Sequence, residues 1–254
     1  MKFTRAIVRK PCKNMVHGLT TAGLGKPDYK KALAQHEAYI DALLACGLEV
    51  LVLDADEQFP DSTFVEDTAL LTPRCAIITR PGAASRTGET AAIEAVVKDF
   101  YSRVERIHAP GTLDAGDVMM TGDHYYIGLS SRTNQEGAAQ LLQILNAHGY
   151  SGSIVNPGNL LHLKSGVAYL EDDMMAMTEE FLHHPFFSRY RSIAIPKEES
   201  YAANCVWVNG QVLCAAGFRK TIKLFEEARI RTIALDMSEF QKLDGGLSCL
   251  SLRF

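Results

Sequence analysis

The sequence contains no glycine-rich nucleotide fingerprint. Neither GxGxxG nor GxxxxGK[ST] occurs, so no residue pattern calls for a nucleotide cofactor. A CxxC pair is also missing. The six cysteines stand apart at 12, 46, 75, 205, 214 and 249, and the eight histidines form no HxxxH pattern, which leaves no common zinc spacing. No apolar run approaches the ~18 residues of a membrane span. The opening MKFTRAIVRKPCKNM has charge but lacks the apolar stretch of a signal peptide. Basic residues are in slight deficit, 26 against 30 acidic, and are spread along the chain rather than gathered for a phosphate backbone. These absences set the expectations: a cytoplasmic location, free and mostly buried thiols, no metal or organic cofactor, no nucleic-acid partner and no membrane partner.

What is present is an ordinary globular composition, 47% hydrophobic and 22% charged, in a chain of 254 residues. That length carries a core without disulfides and is read as one domain, 1–254.

Similar segments recur along it. CAIITRPGAASRTGETAAIEAVVKDF from Cys75, HYYIGLSSRTNQEGAAQLLQILNAHG from His124 and CVWVNGQVLCAAGFRKTIKLFEEARI from Cys205 each open on a short apolar strand and end in a helix of period three to four. Asn209-Gly210 marks a hairpin in the third. A weaker copy, VAYLEDDMMAMTEEFLHHPFF, turns at Asp172-Asp173 and is expected to carry a short helix over Thr178 to Phe187. Near the start, a helix over Lys31 to Gly47 leads to the strand EVLVLDAD, and VERIHA, GSIVNP, RSIAIP and RTIALD repeat that strand pattern. About five such units, ~40 to 50 residues apart, suggest an array or propeller, and the helices exclude an all-β one. One α/β unit cannot bury both its faces; five about a centre can. The fold class is α/β, and the alternative is a doubly wound sheet.

Several polar residues exceed what this pattern needs. FPDSTFVEDTALL groups Asp61, Glu66 and Asp67 around Phe64, and three carboxylates near an apolar strand are costly to bury unpaired. APGTLDAGDVMM sets Asp114 and Asp117 about a glycine turn, where capping of backbone amides is the simpler role. His162 stands among leucines in LLHLKSGVAYL, as on an apolar strand. Cys249, after Gly245-Gly246 in LDGGLSCLSLRF, is alone more plausibly inert than reactive. A thiol, a histidine and several carboxylates together are what covalent thiol catalysis requires. Leu250, Leu252 and Phe254 read as the strand that anchors the thiol.

FPDSTFVED, TLDAGD, LHLKSG, SYAANCVWVNG and the tail DGGLSC jointly resemble the dimethylarginine dimethylaminohydrolase family, within the guanidino-group-modifying enzymes. The resemblance spans essentially the whole chain. It implies a five-bladed pseudosymmetric α/β propeller of ββαβ-type modules, with hydrolysis of methylated arginine to citrulline and no cofactor. It further implies Cys249 as nucleophile, His162 as general acid and base, and Asp114 as the carboxylate that meets the guanidinium and supports His162. Some members carry glutamate at the Asp114 place. Asp67 is implied as a second guanidinium partner. Asp61, Arg86 and Arg132 are implied for the amino-acid end, with Arg132 slightly favoured over Arg86. Leu19 is implied as a lid position, with Phe64, Glu66 and Ser248 as further substrate neighbours. Alternatives within the superfamily are arginine or agmatine deiminase; outside it, a non-catalytic binding protein. A homodimer is the oligomer to expect if one forms.

Overall fold

A computed structural model describes residues 2–158 and 160–254. The chain opens with β1 (Arg5–Arg9), α1 (Tyr29–Ala45) and β2 (Glu49–Leu53), the two strands pairing in parallel from Arg5–Glu49 to Arg9–Leu53. Three further modules follow one plan. They are β3 (Ala69–Leu71), β4 (Ala76–Ile78), α2 (Thr90–Val97), β5 (Val104–Arg106); then β6 (Val118–Thr121), β7 (His124–Gly128), α3 (Gln135–Ala147), β8 (Ser151–Val155); then β9 (Val167–Tyr169), β10 (Met174–Met177), α4 (Glu179–Leu182), β11 (Arg191–Ala194). A last full module holds β12 (Val206–Val208), β13 (Gln211–Ala215), α5 (Arg219–Glu227) and β14 (Arg231–Leu235). The short α6 (Ser238–Gln241) leads to β15 (Leu252–Arg253). β15 lies antiparallel to β1 and supplies the strand missing from the first module. The result is five three-stranded sheets.

In each sheet the first pair is antiparallel and the second parallel. The turn chemistry dictates this. A tight reversal suffices for an antiparallel pair, and Asn209 (φ 48°) with Gly210 (φ 90°) provides one. A parallel pair needs a crossover, and the helix of each module is that crossover. α1 is capped by the Asp28 carboxylate on the Lys31 amide (3.0 Å), which starts it two residues before Lys31, and Gly47 at φ 86° turns the chain out of it. In the fourth module the expected helix stops at Leu182. Pro185 forces His184 into an extended conformation (φ −70°, ψ 129°), and only a 3-10 turn over Pro185–Phe187 follows.

The apolar core is divided among clusters that each bridge two sheets. Ile7 and Leu252 of the first sheet pack with Ala76 and Ile93 of the second module. Ile77 packs with Tyr125 and Leu141, Met119 with Val167 and Met175, and Ala176 with Val212 and Phe225. Ala6 and Val8 join Val208 and Leu213. All six cysteines are free and buried within or beside these clusters. Among the described residues no helix is long and apolar enough to cross a membrane.

Candidate active site

One local device recurs at the entrance to every sheet. A 3-10 turn stands just before each first strand: Val65–Thr68 before β3, Ala115–Asp117 before β6, Leu163–Ser165 before β9, Lys197–Ala203 before β12 and Ser248–Leu250 before β15. These turns carry or adjoin the chemistry. Asp67 is in the first, Asp114 precedes the second, His162 precedes the third, Asn204 follows the fourth and Cys249 is in the fifth. His162 and Cys249 therefore occupy turns rather than the strands expected for them, and the anchoring strand shrinks to Leu252–Arg253.

Cys249, His162, Asp67 and Asp114 line one cleft of about 430 Å³, and all four are buried. His162 Nε2 lies 3.2 Å from Asp114 Oδ2, while Asp114 Oδ1 accepts the Gly82 amide at 2.9 Å. Asp67 Oδ1 accepts the Gly116 amide at 3.1 Å. Gly116 must lack a side chain: a Cβ there would stand 2.7 Å from His162 Nδ1 and 2.8 Å from Asp67 Oδ1. Burial by itself disfavours a charged imidazole, but the carboxylates of Asp67, Asp114 and Asp117 outweigh it and raise His162 to about 9. Asp67 shows the reciprocal effect: burial opposes its charge, yet His162 and Arg86 hold its carboxyl below the usual range. Burial, then the nearby charges of Glu66 and Asp67, push the Cys249 thiol up to about 12. At neutral pH the resting site is a thiol beside an imidazolium and carboxylates. Asp67, Asp114 and His162 each offer one donor atom, all within 4.8 Å of one another. That spacing suits a divalent cation or a flat polyatomic one. The proton on His162 opposes the metal, because a ligating imidazole must be neutral.

Most of the other expected residues reach this cleft: Leu19, Asp61, Phe64, Arg86 and Arg132. The two arginines differ sharply. Arg86 is buried and committed, with Nη1 at 2.6 Å from Asp67 Oδ2, Nη2 at 2.8 Å from Glu89 Oε2 and at 2.9 Å from the Phe64 carbonyl. Arg132 forms no salt bridge among the described residues and lines the cleft. Asp61 accepts the Leu19 amide at 3.0 Å, so the N–H of that residue is already used. The segment after Leu19 is further held where the Thr21 hydroxyl donates to Asp244 Oδ2 (3.0 Å) and the Thr20 hydroxyl to the Lys242 carbonyl (2.7 Å).

Glu66 and Ser248, the remaining expected neighbours of the substrate, do not line this cleft. Glu66 turns instead toward Lys164 and Ser248. There it pairs with Lys164 Nζ (2.6 Å) and accepts the Ser248 hydroxyl (2.7 Å), at the edge of a separate cavity. Gly245, which lines the cleft, and Gly246 stand just before Cys249. Their close approaches are to protein: a Cβ on Gly245 would meet the Phe64 ring at 2.2 Å, and one on Gly246 would meet Asn204 at 2.4 Å.

Asn204 is a site-supporting residue that the sequence reading quoted but gave no role. Its Oδ1 accepts the Ser248 amide (2.9 Å) and its Nδ2 donates to the Lys164 carbonyl (3.0 Å), tying the turn of Cys249 to that of His162. Leu161, Leu243 and Asp244 complete the cleft wall and were likewise missed.

Residues 26–183 match the family model described as N,N dimethylarginine dimethylhydrolase, eukaryotic. The chain is 55% identical over 253 residues to N(G),N(G)-dimethylarginine dimethylaminohydrolase of Pseudomonas aeruginosa, covering 99% of this chain and 100% of that one. It superposes with a TM-score of 0.99, at 54% identity and with full coverage of both chains, on a cysteine-to-serine mutant of the Pseudomonas aeruginosa protein complexed with citrulline. A dimethylarginine dimethylaminohydrolase histidine-to-glycine mutant, solved as an adduct with S-methyl-L-thiocitrulline, superposes with a TM-score of 0.98 at 55% identity, covering 99% of this chain and 100% of that one.

Proposed function

Because the chain belongs to the dimethylarginine dimethylaminohydrolase family, we infer that its cleft hydrolyses Nω,Nω-dimethyl-L-arginine to L-citrulline and dimethylamine, with monomethylarginine giving methylamine. The observation that carries this reading is the convergence of Cys249, His162, Asp67 and Asp114 on one buried cleft. A guanidinium is planar, permanently charged and a poor electrophile. Asp67 and Asp114 are suited to accept its N–H groups through charge-assisted hydrogen bonds that fix its plane against the thiol. Arg132 is suited to the α-carboxylate and Asp61 to the α-ammonium. Arg86 acts from behind, holding Asp67.

The reaction then follows from the charges. Cys249 is a thiol in the resting site, and the arriving cation stabilises its thiolate as the thiol proton is lost to solvent. The thiolate adds to the guanidinium carbon, giving a tetrahedral adduct. His162 gives its proton to the departing dimethylamine nitrogen, and an S-alkylthiouronium remains. Neutral His162 next takes a proton from water as that water adds to the same carbon. Collapse breaks the C–S bond, releasing citrulline and restoring the thiol.

The deciding experiment sets dimethylarginine, monomethylarginine, arginine and agmatine side by side, with citrulline or carbamoylputrescine as readout. The methylated arginines are expected to turn over fastest and agmatine, which has nothing for Arg132, slowest. Turnover confined to arginine or agmatine would assign a deiminase instead. A second expected result concerns the thiol. Difference absorbance at 240 nm between the protein and Cys249→Ser should show the thiolate only at alkaline pH. A bound, unreactive guanidine should move that midpoint down by about two units or more. A thiolate already present at pH 7 without ligand would rule out ionisation by substrate.

We read the architecture as a five-bladed propeller about this cleft. Supporting it, the bridging clusters link first to second sheet, second to third, third to fourth, fourth to fifth and fifth to first. The six free thiols support a reducing, cytoplasmic setting.

A further inference from the structure

Asp117 is fully buried, and no step above uses it. One oxygen, Oδ1, accepts the backbone amide of Leu163, the residue that follows His162, at 2.9 Å. The other, Oδ2, accepts the hydroxyls of Ser130 (2.6 Å) and Thr133 (2.7 Å). Those two hydroxyls shape the turn that carries Arg132. Ser130 Oγ accepts the Arg132 amide (3.0 Å) and the Thr133 amide (3.3 Å), and Thr133 Oγ1 accepts the Asp114 amide (3.2 Å). Gly128 allows the approach, since a Cβ there would lie 2.9 Å from the Leu163 Cβ and 3.0 Å from Asp117 Oδ1. One carboxylate thus joins the acid–base histidine, the arginine suited to the substrate's α-carboxylate, and the backbone of Asp114.

We propose that Asp117 is a positioning residue that makes the placement of His162 depend on occupancy of Arg132, so that the α-carboxylate of the substrate raises the rate of the chemical step as well as affinity. Closure of Arg132 on a carboxylate draws on the Ser130–Thr133 turn. A link centred on the buried Asp117 and Thr133, with Ser130 partly buried beside them, passes that draw to the backbone beside His162, whereas a fully solvated link would absorb it. Binding energy from a remote, non-reacting part of a substrate reaches kcat only through such a connection. The proposal rests on the hydrolase reading above.

The test compares dimethylarginine with dimethylagmatine, the same guanidine without the α-carboxylate, in wild-type protein, Asp117→Asn, Ser130→Ala and Thr133→Val. Asparagine keeps the acceptor for Leu163 but presents an NH₂ to two hydroxyls, one of which already accepts two amides. Ser130→Ala and Thr133→Val each cut one strand of the link without altering charge, and they serve if Asp117→Asn fails to fold. In the wild type, kcat for dimethylarginine should exceed that for dimethylagmatine, and each variant should shrink this kcat ratio about tenfold. In Asp117→Asn alone the His162 titration should also move down by about one unit, because one supporting charge is lost. Parallel falls for both substrates, with the ratio unchanged, would make Asp117 merely structural and overturn the proposal. A wild-type protein that turns over neither substrate would overturn the hydrolase reading and this inference with it.

Discussion

Cys249→Ser is expected to lose turnover by at least about 10⁴-fold while keeping its fold and its affinity for citrulline. A serine hydroxyl sits far above the range in which a bound guanidinium could ionise it. No neighbour is placed to take its proton either, because His162, raised to about 9, is already protonated at neutral pH. The substitution is nearly isosteric. The one hydrogen bond to the sulfur, from the Gly246 amide at 3.4 Å, is long. Thermal unfolding should therefore shift little, and citrulline titration should give an affinity close to that of the parent. Turnover retained within tenfold would remove Cys249 as nucleophile. Lost turnover with lost citrulline binding would show that the cleft itself had collapsed.

Asp67→Ala is expected to be the most damaging single change to stability as well as activity. The Asp67 carboxylate is buried between two cations: Arg86, paired with it at 2.6 Å, and His162. Removing it leaves those charges short of a partner in a dry site, a loss on the order of 3–5 kcal/mol. Glu89 holds the other side of Arg86, but burial has raised its own carboxyl to about 7, so it is a poor substitute at neutral pH. Asp67 is also the strongest upward influence on His162. The imidazole should then titrate well below 9, toward its ordinary 6.5. The sign is fixed. His162 binds its proton more tightly folded than unfolded, so it adds stability in full below about pH 6.5 and loses it as pH rises through about 9. In Asp67→Ala that contribution should be smaller and its decline, still starting near pH 6.5, should end at lower pH. Turnover should fall about 10²- to 10³-fold or more. Urea denaturation across pH 6 to 9.5, with imidazole proton resonances followed by NMR, reads both effects. A stability change under about 1 kcal/mol with His162 still titrating near 9 would show that Asp67 is not the anchor described.

Much of the fold was legible because its signals are local. The strands of the repeated pattern are short apolar runs beside turn residues, and two crossover helices, α1 and α3, carry plain caps in Asp28 and Asn134. Pro185, printed in the sequence, already limits the fourth helix. What was not legible depends on direction. Glu66 and Asp67 are neighbours of the same chemical type, yet one faces Lys164 and the other Arg86, and which partner each meets is settled by tertiary packing. Arg86 and Arg132 sit in identical Ser-Arg-Thr triplets, but Glu89 stands three residues after the first and Gln135 three after the second. That one acid draws Arg86 into a buried ion chain and leaves Arg132 for the cleft. The resemblance to a family named the reacting residues. It did not reveal that Ser248 is spent on Glu66, which only packing decides.

Pairing of β15 with β1 joins residues as far apart in sequence as Ala6 and Arg253. Contacts of that span are slow to form, since loop closure must come before any reward from pairing. Cys249 gains its setting only once β15 is seated. In a half-folded chain the five turns do not face one another, and the thiol has no imidazolium, no carboxylate pair and no bound cation beside it. Reactivity is thus a property of the completed assembly rather than of any one segment of the chain.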